Sequence, residues 1–430
     1  MKFLAFMESA GIEYVWIHGY NDDVKGDIDL AVSQETLHIL RTIVKSFSKH
    51  NQFSIVQMLQ HEYTAFYFVL AKTSELQCSY LVLDFCSDYR RNGRVLLRSR
   101  DLMKGRIALN GFHIPNPVVE GEYLFIKRTL KGIWHEHHWN EFRQKFTLEH
   151  DALCTMVRSR IGEKLSVIFL NIVERNEFNL LNLFTPKMRK AILKRSLLFY
   201  PINVLLCRIK NLVRIIKRFQ HPTGMVISIL GPDGSGKSTI ARNISEMLGP
   251  VFRSTIIKHW RPGIFPEYVP SDGQVVNNEP HGKRERGIFL SSLKFIYYFL
   301  DYTLGYFLKI LPWKIKSTLI IYDRYYYDFL IDPKRYRMSL PKSIIQAFTT
   351  FVPKPDIVIF LKADIDVILA RKQEIEPHEI QHQNEQINYL AQLLRGHFYV
   401  VDANRSIAQI ASSIRDIALN FMNTRYESAS

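Results

Sequence analysis

The stretch Gly224-Met225-Val226-Ile227-Ser228-Ile229-Leu230-Gly231-Pro232-Asp233-Gly234-Ser235-Gly236-Lys237-Ser238-Thr239 decides the fold of the second half of this chain. Its first seven residues form an apolar run broken only by Ser228, the pattern of a central parallel strand covered on both faces. The following residues read G-x-x-x-x-G-K-S, and the apolar spacing over 239–248 predicts a helix directly behind them. Strand, glycine-rich loop and helix in that order make a cradle for phosphate, because the glycines let successive amides, and then the helix N-terminus, face negative charge. In such a loop Gly231, Gly234, Ser235, Gly236, Lys237, Ser238 and Thr239 form the nucleotide-binding set. Lys237 would reach the β- and γ-phosphates and Ser238 would place its hydroxyl on a metal ion, so ATP and Mg2+ are the expected cofactors.

Working outward, apolar runs at 318–322, 357–361 and 398–401 repeat the buried-strand pattern with helical segments between them. Strands alternating with helices imply an α/β domain with a parallel sheet and right-handed crossovers, here over 223–425. The run at 318–322 ends in Asp323-Arg324-Tyr325, at the carboxyl edge where such sheets bind ligands. Asp323 suits Mg2+ or its waters, and the fork of Arg324 suits an acceptor phosphate or carboxylate. A salt-bridged surface pair is the alternative reading of these two residues. Likewise His259, Trp260 and Arg261 either border an acceptor site or form a packed His-Trp pair beside an exposed arginine.

Taken together, the loop with Asp233 inside it, Asp323-Arg324-Tyr325, Lys354-Pro355-Asp356 ahead of a strand, and Arg371-Lys372 opening a lid-like segment resemble the thymidylate kinase-like branch of P-loop kinases. The late strand in HFYVVDANRS fits as well. The resemblance covers roughly 224–421. It implies phosphoryl transfer from ATP, with Arg324 on the acceptor phosphate, Arg371 approaching the transferring group, and Lys237, Asp233 and Asp323 as the other catalytic candidates, Asp233 or Asp323 orienting or deprotonating the acceptor. Two features set this chain apart from thymidylate kinases proper: residues 372–388 contain no arginine, and a long aromatic run fills 289–311. With DRYYYD at 323–328 and a DP-K/R-RYR pattern at 332–337, the chain looks more like divergent relatives associated with bacterial surface polysaccharide biosynthesis. The implied acceptor is anionic or of sugar type.

The first 114 residues carry a second, smaller α/β pattern, with strands expected at 14–18, 28–32, 63–70 and 80–85 and a helix at 34–50. His18-Gly19-Tyr20, Gly26-Asp27-Ile28-Asp29 and Leu83-Asp84-Phe85 resemble the nucleotidyltransferase superfamily. Asp27 and Asp29, two apart on a strand, point to one face, and Asp84 can join them to hold Mg2+. Solvated aspartates at a strand end, or an inactive module kept for substrate binding, are the alternatives. Helical patterns over 122–130 and 141–173 then mark a mainly helical part at 115–186.

A basic amphipathic segment follows at 187–222. It contains ten lysines and arginines from Lys187 to Arg218 and no acidic residue. Basic groups among Leu, Val and Ile at helical spacing suit either an interdomain helix or a helix lying on an anionic membrane. The run at 287–311 is long enough to span a bilayer, but Lys294 and Asp301 inside it predict a buried helical pair instead.

At 430 residues the chain exceeds one ordinary core, and its +16 charge favours phosphate-bearing partners without choosing among them. The four scattered cysteines fit a reduced compartment, and the N-terminus does not read as a secretory signal. A cytoplasmic protein, with peripheral contact at the inner membrane face, is the expectation. No nucleic-acid motif stands in the sequence. Three readings are carried forward: an ATP-dependent kinase, an ATP-regulated membrane- or nucleic-acid-binding protein, and a nucleotidyltransferase acting through the N-terminal domain.

Overall fold

The computed structural model describes residues 1–20, 26–199, 201–266, 287–333, 335–371 and 377–427. Their contacts divide the chain into two compact units, Met1–Leu70 with Leu81–Ile216, and Ala71–Tyr80 with Lys217–Ser430.

The first unit is built on a mixed sheet of β1 (Tyr14–His18), β2 (Ile28–Val32), β3 (Ser54–Glu62), β4 (Ala65–Thr73) and β5 (Cys78–Cys86), in the order β1-β2-β5-β4-β3. β1 and β2 pair antiparallel, whereas β2 and β5 run parallel with Asp29 opposite Asp84. The strand at 54–62 has no counterpart in the sequence reading, because its polar Gln57, Gln60 and His61 interrupt the apolar run. The helical pattern at 141–173 resolves into Glu136–Leu148, His150–Ile161 and Glu163–Glu174. Glu149 leaves helical geometry at φ −130°, and Gly162 turns at φ +85°, which only glycine adopts at low cost. These helices do not close on a core of their own. Phe125, Trp134, Trp139, Phe142 and Phe169 join Ile17 and Ala31 of the sheet in one apolar cluster. Apolar burial at such a seam contributes about 25 cal/mol per Å².

The second unit carries the all-parallel sheet that its sequence implies. Its strands are β6 (Met225–Leu230), β7 (Ser254–His259), β8 (Thr318–Asp323), β9 (Ile357–Lys362) and β10 (Phe398–Asp402), ordered β7-β8-β6-β9-β10. β6 and β8 are buried along their whole length. β7 escapes the periodicity argument because Lys258 and exposed Ile257 give it an edge strand's mixed pattern. The first strand lies in the middle, so the chain crosses to one side for β7 and β8 and to the other for β9 and β10. The crevice at the carboxyl end of β6 is therefore the topological switch point.

The aromatic run at 287–311 is not a buried helical pair. It forms one helix, Ile288–Gly305, that continues through a π-turn at Tyr306–Ile310 into Leu311–Ile315. Its inner face buries Phe295, Tyr302 and Asp301, while Phe289, Leu293, Ile296, Leu300 and Phe307 remain exposed. No helix among the described residues is long and apolar enough to cross a membrane.

Candidate active site

The phosphate-binding loop leaves β6 at Gly231, where φ is +141° and a Cβ would stand 2.8 Å from the carbonyl oxygen of Leu361. Gly234 and Gly236 also have positive φ, and the helix Lys237–Leu248 begins immediately behind them. The loop thus needs glycine for its path and brings helix N-terminal amides to the switch point. Lys237 is 6% exposed. Its Nζ donates to the carbonyls of Gly231 at 3.0 Å and Pro232 at 2.7 Å, and lies 3.4 Å from Asp233 Oδ1. Burial, and then the charge of Arg324, lower the Lys237 ammonium to about 8 despite the nearby aspartates.

β8 delivers its pair to the same place. The Arg324 amide donates to Ile229 O at 2.9 Å, and the Trp260 amide donates to Asp323 O at 2.9 Å, so the three strand ends are stitched together beyond the regular sheet. Arg324 and Trp260 both adopt positive φ, +77° and +70°, a left-handed backbone that non-glycine residues adopt at a cost of about 1–3 kcal/mol each. Ser238 Oγ donates to Asp323 Oδ2 at 2.5 Å, while Asp323 Oδ1 is buried with no hydrogen-bond partner among the described residues. A serine hydroxyl beside a buried carboxylate with an unsatisfied oxygen is a hard-oxygen donor set of the kind Mg2+ takes.

Asp233, inside the loop, gathers three cations. Arg324 Nη2 and Lys237 Nζ share its Oδ1, and Arg335 Nη1 pairs with Oδ2. Burial would raise this carboxyl, but Arg324, Lys237 and Arg335 together hold it well below the usual carboxylate range. Arg324 is held from the other side as well, donating from Nη1 to Asp328 Oδ2 at 2.7 Å, and Tyr336 donates to the same oxygen at 2.8 Å. Arg335, Asp328 and Tyr336 fall inside the quoted motifs at 323–328 and 332–337, but the sequence reading gave none of them a role in the site. The charges between 323 and 337 follow no helical or strand period, so nothing in their spacing says which of them turn toward the loop.

Of the sequence-derived candidates, the structure brings together Asp233, Lys237, Ser238, Asp323 and Arg324. Ser235 is buried in the loop, and Thr239 lies in the first turn of the helix. Arg371 closes the helix Ile365–Arg371, and its side chain, like residues 372–376, lies outside the described residues. His259 is 71% exposed with Nδ1 4.0 Å from Asp323 Oδ2. Arg261 is not exposed. It is buried against Asp301 at 3.0 Å, and Asp301 also accepts from the amides of Gly263 and Ile264, so the pair pins the 261–265 loop.

In the first unit, Asp29 and Asp84 line a cavity of about 520 Å³ with His61, Tyr123, Lys127 and Lys131. Lys127 Nζ stands 3.5 Å from Asp29, and His61 Nε2 stands 3.4 Å from Asp84. Partial burial and the charge of Asp29 push the Asp27 carboxyl up. No group of three or more His, Cys, Asp or Glu side chains among the described residues is arranged to hold a metal ion, so Asp27, Asp29 and Asp84 are not gathered into one. Lys127 and His61 face two of the three carboxylates instead.

A parallel sheet with a phosphate loop at its switch point, a buried lysine, a serine–aspartate pair and two arginines on the loop's aspartate defines a P-loop phosphotransferase, and the second unit is a P-loop kinase domain. The thymidylate kinase family model matches residues 290–414, a span that contains Asp323 and Arg324 and leaves the phosphate loop to stand on its own geometry. The chain is 23% identical over 215 residues to the probable thymidylate kinase of Archaeoglobus fulgidus, covering 47% of this chain and 100% of that protein. It is 28% identical over 161 residues to the thymidylate kinase of Enterococcus faecalis, covering 36% of this chain and 72% of that protein.

Proposed function

We propose that this protein is an ATP-dependent kinase that transfers the γ-phosphoryl group to a phosphorylated or sugar-type acceptor and is not a housekeeping thymidylate kinase. The observation that carries this reading is the convergence of Lys237 and Ser238 from the loop helix with Asp323 and Arg324 from the end of β8 around Asp233. Lys237 takes the β- and γ-phosphates and Arg324 clamps the acceptor, so the work is positioning and charge neutralisation. Ser238 and Asp323 would hold Mg2+, which neutralises the phosphate charge when bound. A carboxylate held as strongly anionic as Asp233 is a poor proton acceptor near neutral pH, so its part is to orient the acceptor rather than deprotonate it. Arg371 stands at the start of the lid.

For the acceptor, Trp260 supports a departure from thymidylate. It stacks on Tyr336 at 4.8 Å and meets Tyr298 at 4.5 Å, and Tyr336 holds the carboxylate that holds Arg324. Tyr336 is buried, so the half-buried Trp260 packed on it, one step from Arg324, is the ring against which a sugar can lie. The test is phosphoryl transfer from ATP against nucleoside monophosphates, sugars and sugar phosphates, with thymidylate as the reference. Lys237→Ala abolishes transfer with the fold retained. Undiminished turnover in that variant overturns the kinase, and thymidylate outperforming every other acceptor overturns the choice of acceptor.

Peripheral attachment to an anionic membrane is a second part of the reading. The helix Pro201–Gln220 buries Val204 and Cys207 but exposes Leu205, Leu206, Ile209, Leu212, Val213, Ile216 and Phe219, with Arg208, Lys210, Arg214, Lys217 and Arg218 along the same helix. An apolar stripe flanked by cations and free of acids is the composition of an interfacial helix. Nucleotidyl transfer in the first unit draws support only from the facing Asp29 and Asp84 in their cavity. Label transfer from nucleoside triphosphates that is lost in Asp29→Ala would establish it.

A further inference from the structure

We infer that Arg335 engages the transferring phosphoryl group, a role for which the lid-like segment offers Arg371 alone because residues 372–388 contain no arginine. The inference rests on the kinase reading and adds a catalytic residue to it.

Three cations meet on Asp233, and they are not equivalent. Lys237 is buried inside the loop. Arg324 is 5% exposed and held twice, by Asp233 and by Asp328, while its backbone is fixed to β6. Its guanidinium is therefore committed to a place on the acceptor side. Arg335 is 25% exposed and comes from the turn after Asp332, whose carboxylate accepts the Arg335 amide at 3.2 Å. It reaches Asp233 from the solvent side, across the carboxylate from Lys237.

When a polyphosphate enters the loop, its charge repels the Asp233 carboxylate and competes for the cations on it. Lys237 then exchanges the Gly231 and Pro232 carbonyls for phosphate oxygens without leaving its place. Arg324 stays with Asp328. Arg335, on a turn and partly in solvent, is the cation whose fork can pass from Asp233 to the γ-phosphoryl oxygens as charge spreads over them. The same contact holds the guanidinium within reach of the loop. Asp233 thereby acts as the parking position of a catalytic arginine.

The prediction separates transition-state from ground-state binding. Calorimetry on the full chain measures affinity for MgADP alone and for MgADP with aluminium fluoride, which mimics the transferring group, alongside ATP turnover to water or to an accepted substrate. In Arg335→Ala, MgADP affinity stays within about twofold, while the aluminium fluoride complex and turnover weaken about 100-fold or more. Arg335→Lys, which keeps the charge and loses the fork, falls between, and added guanidinium restores part of the Arg335→Ala turnover. Equal losses of MgADP and fluoride-complex affinity would mark Arg335 as merely structural and overturn the inference, as would unchanged turnover. If wild-type protein binds MgADP and turns over ATP but Arg335→Ala matches it, only this inference fails. If the wild type does neither, the kinase reading itself fails. Should Arg335→Ala not fold, Arg335→Lys carries the same comparison.

Discussion

Lys237 ties nucleotide binding to pH in a way that can be worked from its surroundings. Burial, with Arg324 adding to it, brings the ammonium down to about 8 against the opposing charges of Asp233, Asp323 and Asp328. Phosphate oxygens arriving at Nζ favour the charged form, so binding above that value must take up a proton. With a titration near 8, about nine-tenths of Lys237 is charged at pH 7 and about one-tenth at pH 9, so MgADP affinity should fall about tenfold, or about 1.4 kcal/mol, over that interval. Calorimetry in buffers of different ionisation enthalpy reads both quantities, and proton uptake should approach one per nucleotide near pH 9. Lys237→Met should bind weakly, without that slope and without that uptake. A flat affinity between pH 7 and 9 in the wild type, or the same slope in Lys237→Met, refutes the reasoning. The stability linkage has its own sign. The folded value lies below the ordinary lysine value, so the unfolded chain holds more protons between the two, and this group's contribution to stability rises with pH through that window and is least below about 8.

Two further outcomes follow from the same geometry. Arg324→Ala leaves Asp328 without its cation while Asp233 keeps Lys237 and Arg335, and because Asp328 is 1% exposed the expected loss is about 3–5 kcal/mol by urea denaturation, against little change for Arg335→Ala. On the outer face of Pro201–Gln220, Leu212→Glu with Ile216→Glu should release the protein from anionic vesicles while leaving ATP turnover intact. Vesicle sedimentation that is indifferent to both charges would remove the membrane from the proposal.

Local order carried the sequence reading a long way. The run 224–230 could only be a covered strand, and the glycines behind it could only wrap an anion. β1 and β2 likewise fall where their apolar patterns place them. In the two five-stranded sheets, two strands went unread because polar residues interrupted them. One long helical pattern also concealed two breaks, since Glu149 and Gly162 change backbone geometry without disturbing the apolar spacing enough to show it.

The sequence by itself therefore determined the parallel sheet, the phosphate loop and the presence of Asp323-Arg324 at the sheet's edge, because each depends on neighbours along the chain. Which charges meet is a matter of tertiary structure. Asp233, Arg324 and Arg335 come from three separate loops, and Arg335 lies 102 residues from the carboxylate it pairs with. Arg261, readable from the sequence as bordering an acceptor site or as exposed, is buried in a pair with Asp301 forty residues on. Electrostatic partners are chosen by the space that packing leaves and by desolvation within it, and neither has a period that can be read from the order of residues.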